Sequence, residues 1–413
     1  MSTATSPATQ WSEPRVAPVN PVETVDFSNP DTFAAGHPYE EFRRLREIAP
    51  VFWNPEVVPA RGFWALTRYA DIVYVSNKPD LFCNKFGYKS VDDHYARISG
   101  PAADAMGRIL PHLDPPDHDV IKRVFQPYFT PKAVKELEDS VRSKAIALMD
   151  GLKGKTDIEV VSALNVHLPI QVLADLLGVP EDDRAKLLYW TDGIFGADDP
   201  EYFSKPTDAG ARFAEMFEYG RAAIDQRRAN PTGDLLSAIA NVQLNGEYLE
   251  RSQVDGVLAM FIGAGNETTR NVITASLYQL WKHPEARREL VEDPSLIPNA
   301  TDELLRFITP ANHMRRTATA DTEVGGQPIA KGDKLVMFYA AANRDPEMFP
   351  DPDRFDIRRA NAKRHLAFGL GIHRCIGAVL AQLELKIFLE EFLPRYPNYV
   401  VTSEPTLLRH NFV

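Results

Sequence analysis

Phe368, Gly369, Gly371, His373, Cys375 and Gly377 fall within ten residues of one another. The two glycines before the cysteine and the one two residues beyond it allow the backbone to approach a flat ligand closely, as no side chain could. A helix is expected to begin at Cys375 and run from Ile376 to Phe392. That start would place the sulfur beside free backbone N–H groups and the positive end of the helix dipole, both of which stabilise a thiolate. Phe368 could shield the sulfur from water. A thiolate held this way is a good iron ligand that pushes electron density toward bound oxygen. An isolated cysteine in a glycine turn is more often a small buried hydrophobe; the combined spacing points to chemistry.

A second cluster, Gly263, Ala264, Gly265, Asn266, Glu267, Thr268 and Thr269, interrupts an otherwise apolar helix with small and polar residues. A buried glutamate is costly unless partners or water satisfy it. Small residues permit a local opening of the helix ladder. The pattern reads as an oxygen pocket, with Thr268 bonding oxygen and its waters and Glu267 delivering protons; the alternative is a kink at a packing contact. A third pattern, Glu303 and Arg306, puts an acid and a base on one helix face, a spacing that is often only a surface ion pair.

The stretch from Phe368 to Gly377 resembles the haem-ligand signature of cytochrome P450 enzymes, Phe-x-x-Gly-x-x-x-Cys-x-Gly, and matches it completely. The resemblance extends from about residue 35 to 412. It implies that Cys375 is the proximal iron ligand of a haem b, with Phe368, Gly369 and Ala264 around the macrocycle. The Gly263–Thr269 segment is similar to the family's oxygen-activating pattern, with Glu267 in the acidic place. Haem propionates need cationic partners, and the resemblance implies His118, Lys122, Arg316 and His373. Lys122 departs from the family's usual arginine, a point charge in place of a bidentate fork; Arg315 lies one residue from Arg316. Glu303 and Arg306 would bond a later arginine, matched here by Arg354, in a structural role.

Substrate is expected to lie along the irregular 84–114 loop, the middle helices and the segment after Arg306. Candidate contacts are Met260, Phe261, Ala264, Pro310, Ala311, Asn312, Met314 and Phe412, with Asn312 and His313 as a polar anchor. The wording of the long helix resembles family members acting on sterols, branched lipids and terpenoids; a small aromatic acid stays open. Family members usually continue past an Asn-Phe-Val-like segment, so a shortened last strand is expected.

Arg358, Arg359, Lys363 and Arg364 form a basic cluster before the cysteine loop, either a solvated loop or a surface that steers an acidic electron carrier. No Gly-rich dinucleotide fingerprint follows a strand, and no length is spare for a flavin domain. Electrons are therefore expected from a separate ferredoxin and its reductase. The reading is a monooxygenase inserting one atom of O₂ into a C–H bond. A peroxide-driven peroxygenase, a non-catalytic haem sensor and a non-haem scaffold are the alternatives; the Glu267–Thr268 pair is needed by none of them.

The elements that must position these residues are mainly helical. Helical spacing marks Pro38–Glu47, Lys132–Leu152, Ala211–Arg228 and Gln253–Lys282, the last with Ser252 and Asp255 in capping-box spacing. Strands are expected across Val51–Thr67 and residues 314–341, with a Gly325-Gly326 turn. The fold class is mainly α with a minor β part: a flexible arm over residues 1–30, then one large domain over 31–413. With 46 Lys+Arg against 57 Asp+Glu, the net charge of −11 argues against a nucleic-acid grip. Two cysteines cannot build a disulfide framework or a Cys-rich zinc site. No secretory signal or membrane anchor is read, so a cytoplasmic protein is expected; a monomer is expected, without a sequence signal for it.

Overall fold

The computed structural model describes residues 25–56, 62–90, 105, 107–195, 207–244, 246–410 and 412. The expected arm lies mostly outside them, as does about half of the loop expected to line the substrate site. At the arm's inner end Phe27 is buried, stacked on Phe42 at 5.3 Å and packed against Phe338.

Helices dominate, in the order α1 (Tyr39–Ile48), α2 (Tyr69–Ser76), α3 (Asp117–Phe125), α4 (Pro131–Glu136), α5 (Glu138–Asp150), α6 (His167–Leu177), α7 (Arg184–Phe195), α8 (Thr207–Ala229), α9 (Leu235–Asn241), α10 (Arg251–Lys282), α11 (Pro284–Glu292), α12 (Ile297–Ile308), α13 (Tyr339–Ala342) and α14 (Ala378–Arg395). The strands are β1 (Val51–Asn54), β2 (Phe63–Leu66), β3 (Phe82–Cys83), β4 (Gln243–Leu244), β5 (Glu247–Tyr248), β6 (His313–Ala318), β7 (Thr322–Val324), β8 (Gln327–Ile329) and β9 (Lys334–Phe338).

The main sheet has the order β1-β2-β9-β6-β3, with β2 and β9 parallel and the other neighbours antiparallel. Strands β7 and β8 form a hairpin across Gly325 and Gly326, both at positive φ as a two-residue hairpin turn requires. The helical region also holds the small β4–β5 hairpin, which helical spacing alone missed although Asn245-Gly246 signals it.

Helix α10 spans 32 residues, about 48 Å at 1.5 Å per residue. It packs against α6, α7, α8, α12 and α14, which together bury it on most sides. Its capping box is Glu250 with Gln253 rather than Ser252 with Asp255: the Gln253 side chain accepts the Glu250 N–H at 2.9 Å. Asp255 is turned inward and bonds Arg221 of α8. No helix among the described residues is long and apolar enough to cross a membrane.

Candidate functional site

The cysteine loop joins the end of the meander to α14. Helix α14 starts at Ala378, three residues later than expected, with Gly377 as its N-cap. The intervening loop still delivers a backbone amide to the sulfur, that of Gly377, while the Cys375 N–H donates to the Phe368 carbonyl at 2.9 Å. Cys375 keeps an exposed face. Protein surrounds the sulfur on its other sides, so burial pushes the thiol up, opposed by the Gly377 amide, Arg374 and Lys122.

The glycines serve the protein itself first. Gly369 and Gly371 take φ of 65° and 72°, a region that L side chains rarely adopt. A Cβ at Gly371 would lie 2.2 Å from the Ser76 carbonyl oxygen of α2, and one at Gly369 would crowd the Tyr339 hydroxyl at 3.1 Å. These close approaches seat the loop against α2 and the start of α13.

Four groups expected to hold an anion come together beside this loop. His118 and His373 have ring centroids 4.5 Å apart. The Nε2 atoms of both are buried without a partner among the described residues. Arg316 and Lys122 are close enough to influence His373: burial first, then Arg316, His118 and Lys122, pull it down to about 2. Arg316 is buried on β6, and burial lowers its pKa. Arg315 points to the other side, donating to the Phe86 carbonyl at 2.8 Å, which separates the two neighbours. Lys122 bonds the Ile372 carbonyl of the cysteine loop. A buried arginine beside two orphaned imidazole nitrogens suits carboxylates.

Helix α10 is uninterrupted through Gly263–Thr269, so the expected opening of its ladder is not observed. The Thr268 hydroxyl donates to the Ala264 carbonyl one turn earlier, at 3.0 Å. Ala264 is exposed in the middle of this otherwise buried helix, with Thr268 half-buried on the same face. Glu267 is buried and bonded by the Arg270 guanidinium through both oxygens. Arg270 in turn lies 3.9 Å from Asp192 on α7. Neither partner was singled out from sequence, although the i, i+3 spacing of Glu267 and Arg270 was visible.

Glu303 and Arg306 of α12 are fully buried and paired at 2.7 Å. The second arginine on Glu303 is Arg359, whose Nε donates at 3.2 Å, and not Arg354. Arg354 is exposed and contributes only its carbonyl, to Arg306 and Arg359. The reason is register: Phe355, Ile357 and Arg359 are buried while Arg354 and Arg358 are exposed, and the Arg359 N–H closes a turn on the Asp356 carbonyl at 3.0 Å. Arg359 therefore leaves the basic cluster. Arg358 pairs with Glu289 at the surface. Lys363, Arg364 and Arg374 are exposed, and they line a cavity of about 330 Å³ with Tyr69, Asp302, His365, Phe368 and Gln382.

On the substrate side Met260, Pro310, Ala311 and Met314 are half-buried, whereas Phe261 is core, edge-on to Phe125 at 5.0 Å. The Asn312 N–H donates to the Phe412 carbonyl at 2.8 Å, and the Phe412 ring packs on Tyr88 and His313. Asn312 and His313 are both buried. Asn411 and Val413 lie outside the described residues, and the expected last strand with them.

The family model for Cytochrome P450 matches residues 209–406. The chain is 36% identical to linalool 8-monooxygenase of Pseudomonas putida, over 95% of this chain and 97% of that protein. It is 33% identical to the methyl-branched lipid omega-hydroxylase of Mycobacterium tuberculosis, over 96% and 94%. Among solved structures it resembles Mycobacterium marinum cytochrome P450 CYP268A2 in complex with pseudoionone, with a TM-score of 0.88 at 32% identity, covering 96% of this chain and 98% of that one. The helical body, the cysteine loop and these likenesses over nearly the whole length agree: the chain belongs to the cytochrome P450 family of haem-thiolate monooxygenases.

Proposed function

We propose that this protein hydroxylates a terpenoid, steroid or branched lipid-like hydrocarbon, with Cys375 as the haem ligand and a ferredoxin-type protein as electron donor. The observation that carries the reading is the convergence of His118, His373, Arg316 and Lys122 beside the cysteine loop. Their two orphaned nitrogens and the buried guanidinium fit the propionates of haem. Cys375 would hold the iron, and haem bound there would supply the redox chemistry of O₂ for hydroxylation, with two electrons and two protons consumed and water as the second product.

The chain's own residues do the rest. The Gly377 amide and the nearby cations favour a thiolate at Cys375. Ala264, with its single methyl, leaves room on the exposed face of α10. Thr268 lends its hydroxyl proton at Oγ1, which at rest is directed to the Ala264 carbonyl. Glu267 holds a proton-transferring carboxylate behind it, restrained by Arg270. Glu303, Arg306 and Arg359 hold the meander and touch no reacting group.

The substrate class is supported by the linalool, branched-lipid and pseudoionone names of the similar proteins and by the apolar residues Met260, Ala311, Met314 and Phe412. Asn312 is the polar side chain in that group. For the electron donor, the exposed Lys363, Arg364 and Arg374 around the 330 Å³ cavity on the cysteine-loop side offer the cationic surface that an acidic carrier needs. Reversing these three charges should slow reduction by the carrier and leave substrate binding unchanged; reduction at the original rate would remove this surface from the account.

The test of the substrate class is a spin-state titration of the purified haem protein with linalool, a branched fatty acid, a steroid and a small aromatic acid, followed by product analysis. The proposal expects a shift and a hydroxylated product with at least one of the first three. A shift with the aromatic acid alone would overturn it.

A further inference from the structure

The two imidazoles that face the anion site differ in one respect. His118 has a carboxylate behind it: its Nδ1 lies 2.8 Å from Asp119 Oδ1. An ionised carboxylate only accepts, so Nδ1 must carry the proton in that bond. The Nε2 atom is buried and has no partner among the described residues, and the His373 ring lies 4.5 Å away, centroid to centroid. A neutral His118 would therefore turn a lone pair toward any carboxylate that approaches Nε2. Only the imidazolium has a proton on both nitrogens.

We propose that Asp119 is a positioning residue that makes His118 bind the haem carboxylate as an imidazolium, with a proton taken up at Nε2 when the anion arrives. The step balances simply: one solvent proton binds Nε2, no bond between heavy atoms changes, and the ring gains one positive charge opposite the carboxylate.

Several charges face His118, and they define what the anion has to overcome. On its own helix these are Asp119 and Lys122; from the preceding segment, Asp114; from the cysteine loop, His373, beside which Arg316 of β6 is also felt. Among the protein's groups alone the balance is downward: burial lowers the His118 pKa most, and Lys122 adds to it against Asp119 and Asp114. A second carboxylate at Nε2 acts in the opposite direction, with little solvent to screen it. Asp119 itself is half exposed, whereas the ring is buried. The same residue pair fixes ring orientation, because a ring held at Nδ1 cannot flip.

The test reads the two ring nitrogens directly. Histidine ¹⁵N shifts are measured on the holoprotein in its diamagnetic reduced carbon-monoxide form, from about pH 6 to about pH 8, the range in which an ordinary histidine loses its charge. The His118 signal is identified by its loss in His118→Asn. Should that variant fail to retain haem, sequential assignment through Asp117 and Asp119 identifies it instead.

Wild type should show both His118 nitrogens protonated throughout. In Asp119→Asn the amide can donate to Nδ1, so the ring can stay neutral with its proton on Nε2. The ratio of imidazolium to neutral ring should then fall about tenfold or more at a given pH, one pKa unit. A singly protonated His118 in wild type at neutral pH, on either nitrogen, would overturn the proposal. So would an Asp119→Asn protein with the wild-type titration, since the charge would then owe nothing to Asp119.

Discussion

Glu267–Arg270 on α10 and Glu303–Arg306 on α12 share one spacing, yet their surroundings make them different devices. The Arg306 guanidinium is saturated. Its Nε and Nη2 bond Glu303, its Nη1 bonds the Asn343 and Pro352 carbonyls, and its Nη2 also reaches the Arg354 carbonyl. Glu303 additionally accepts the Asp356 N–H and Arg359. Arg270 bonds Glu267 but leaves its Nε buried without a partner among the described residues, with a second carboxylate, Asp192, 3.9 Å away on another helix. The first pair is locked by backbone carbonyls that cannot leave without unfolding the meander. The second has a competitor and an unmade bond, so it can rearrange inside an intact fold. The same two residue types three apart thus serve as a clamp or as a movable restraint, depending on what completes the guanidinium.

The comparison breaks most easily at the clamp. Arg306→Ala leaves the Glu303 charge buried without its main partner, a loss of about 3–5 kcal/mol. Haem content and denaturant unfolding should both show it. Arg359→Ala should follow in the same direction, while Arg354→Ala, at an exposed side chain, should stay within about 0.5 kcal/mol. An Arg354 effect as large as that of Arg359 would mean the register is wrong.

At the movable pair the expected loss is in turnover. Glu267→Gln should retain the fold and slow the proton-dependent steps by about a hundredfold. Thr268→Ala should divert oxygen consumption from product to peroxide. Full coupling in Thr268→Ala would contradict the relay.

A third buried glutamate sharpens the contrast because it has no arginine. Glu384 on α14 is buried, with Oε2 unpartnered among the described residues, and burial raises its pKa from 4.5 to about 8. The folded state therefore keeps a proton that the unfolded state releases. The stability this contributes is fully present below about pH 4.5 and is lost as pH rises through about 8. Glu384→Gln should flatten that decline: near wild-type stability at acid pH, and a gain over wild type at pH near 8, measured by urea unfolding at each pH. Among the acidic residues the smallest effect on stability is expected from Asp192→Asn. Its side chain is partly exposed and its contact is long, so stability should move by less than about 1 kcal/mol while the Glu267-dependent rate changes.

What could be read from sequence follows from how local each signal is. The cysteine loop was legible because glycines at positive φ and a cysteine act within ten residues. The long helix was legible from its period, and its cap was misplaced because Glu250 with Gln253 and Ser252 with Asp255 offer similar spacing. Arg359 was hidden in a run of basic residues, although the inward alternation of Phe355 and Ile357 marks it. Asp192 could not be found: its partner Arg270 lies on a different helix, and nothing local signals a contact across that distance. The β2–β9 pairing is likewise a long-range event.

The central claim is a thiolate-ligated haem held by Cys375, and a carbon-monoxide difference spectrum of the reduced, purified protein tests it most directly. The account predicts a strongly red-shifted Soret band in wild type and its loss in Cys375→Ser. A band at the position of a histidine- or thiol-ligated haem in wild type would contradict it, as would a well-folded protein that binds no haem.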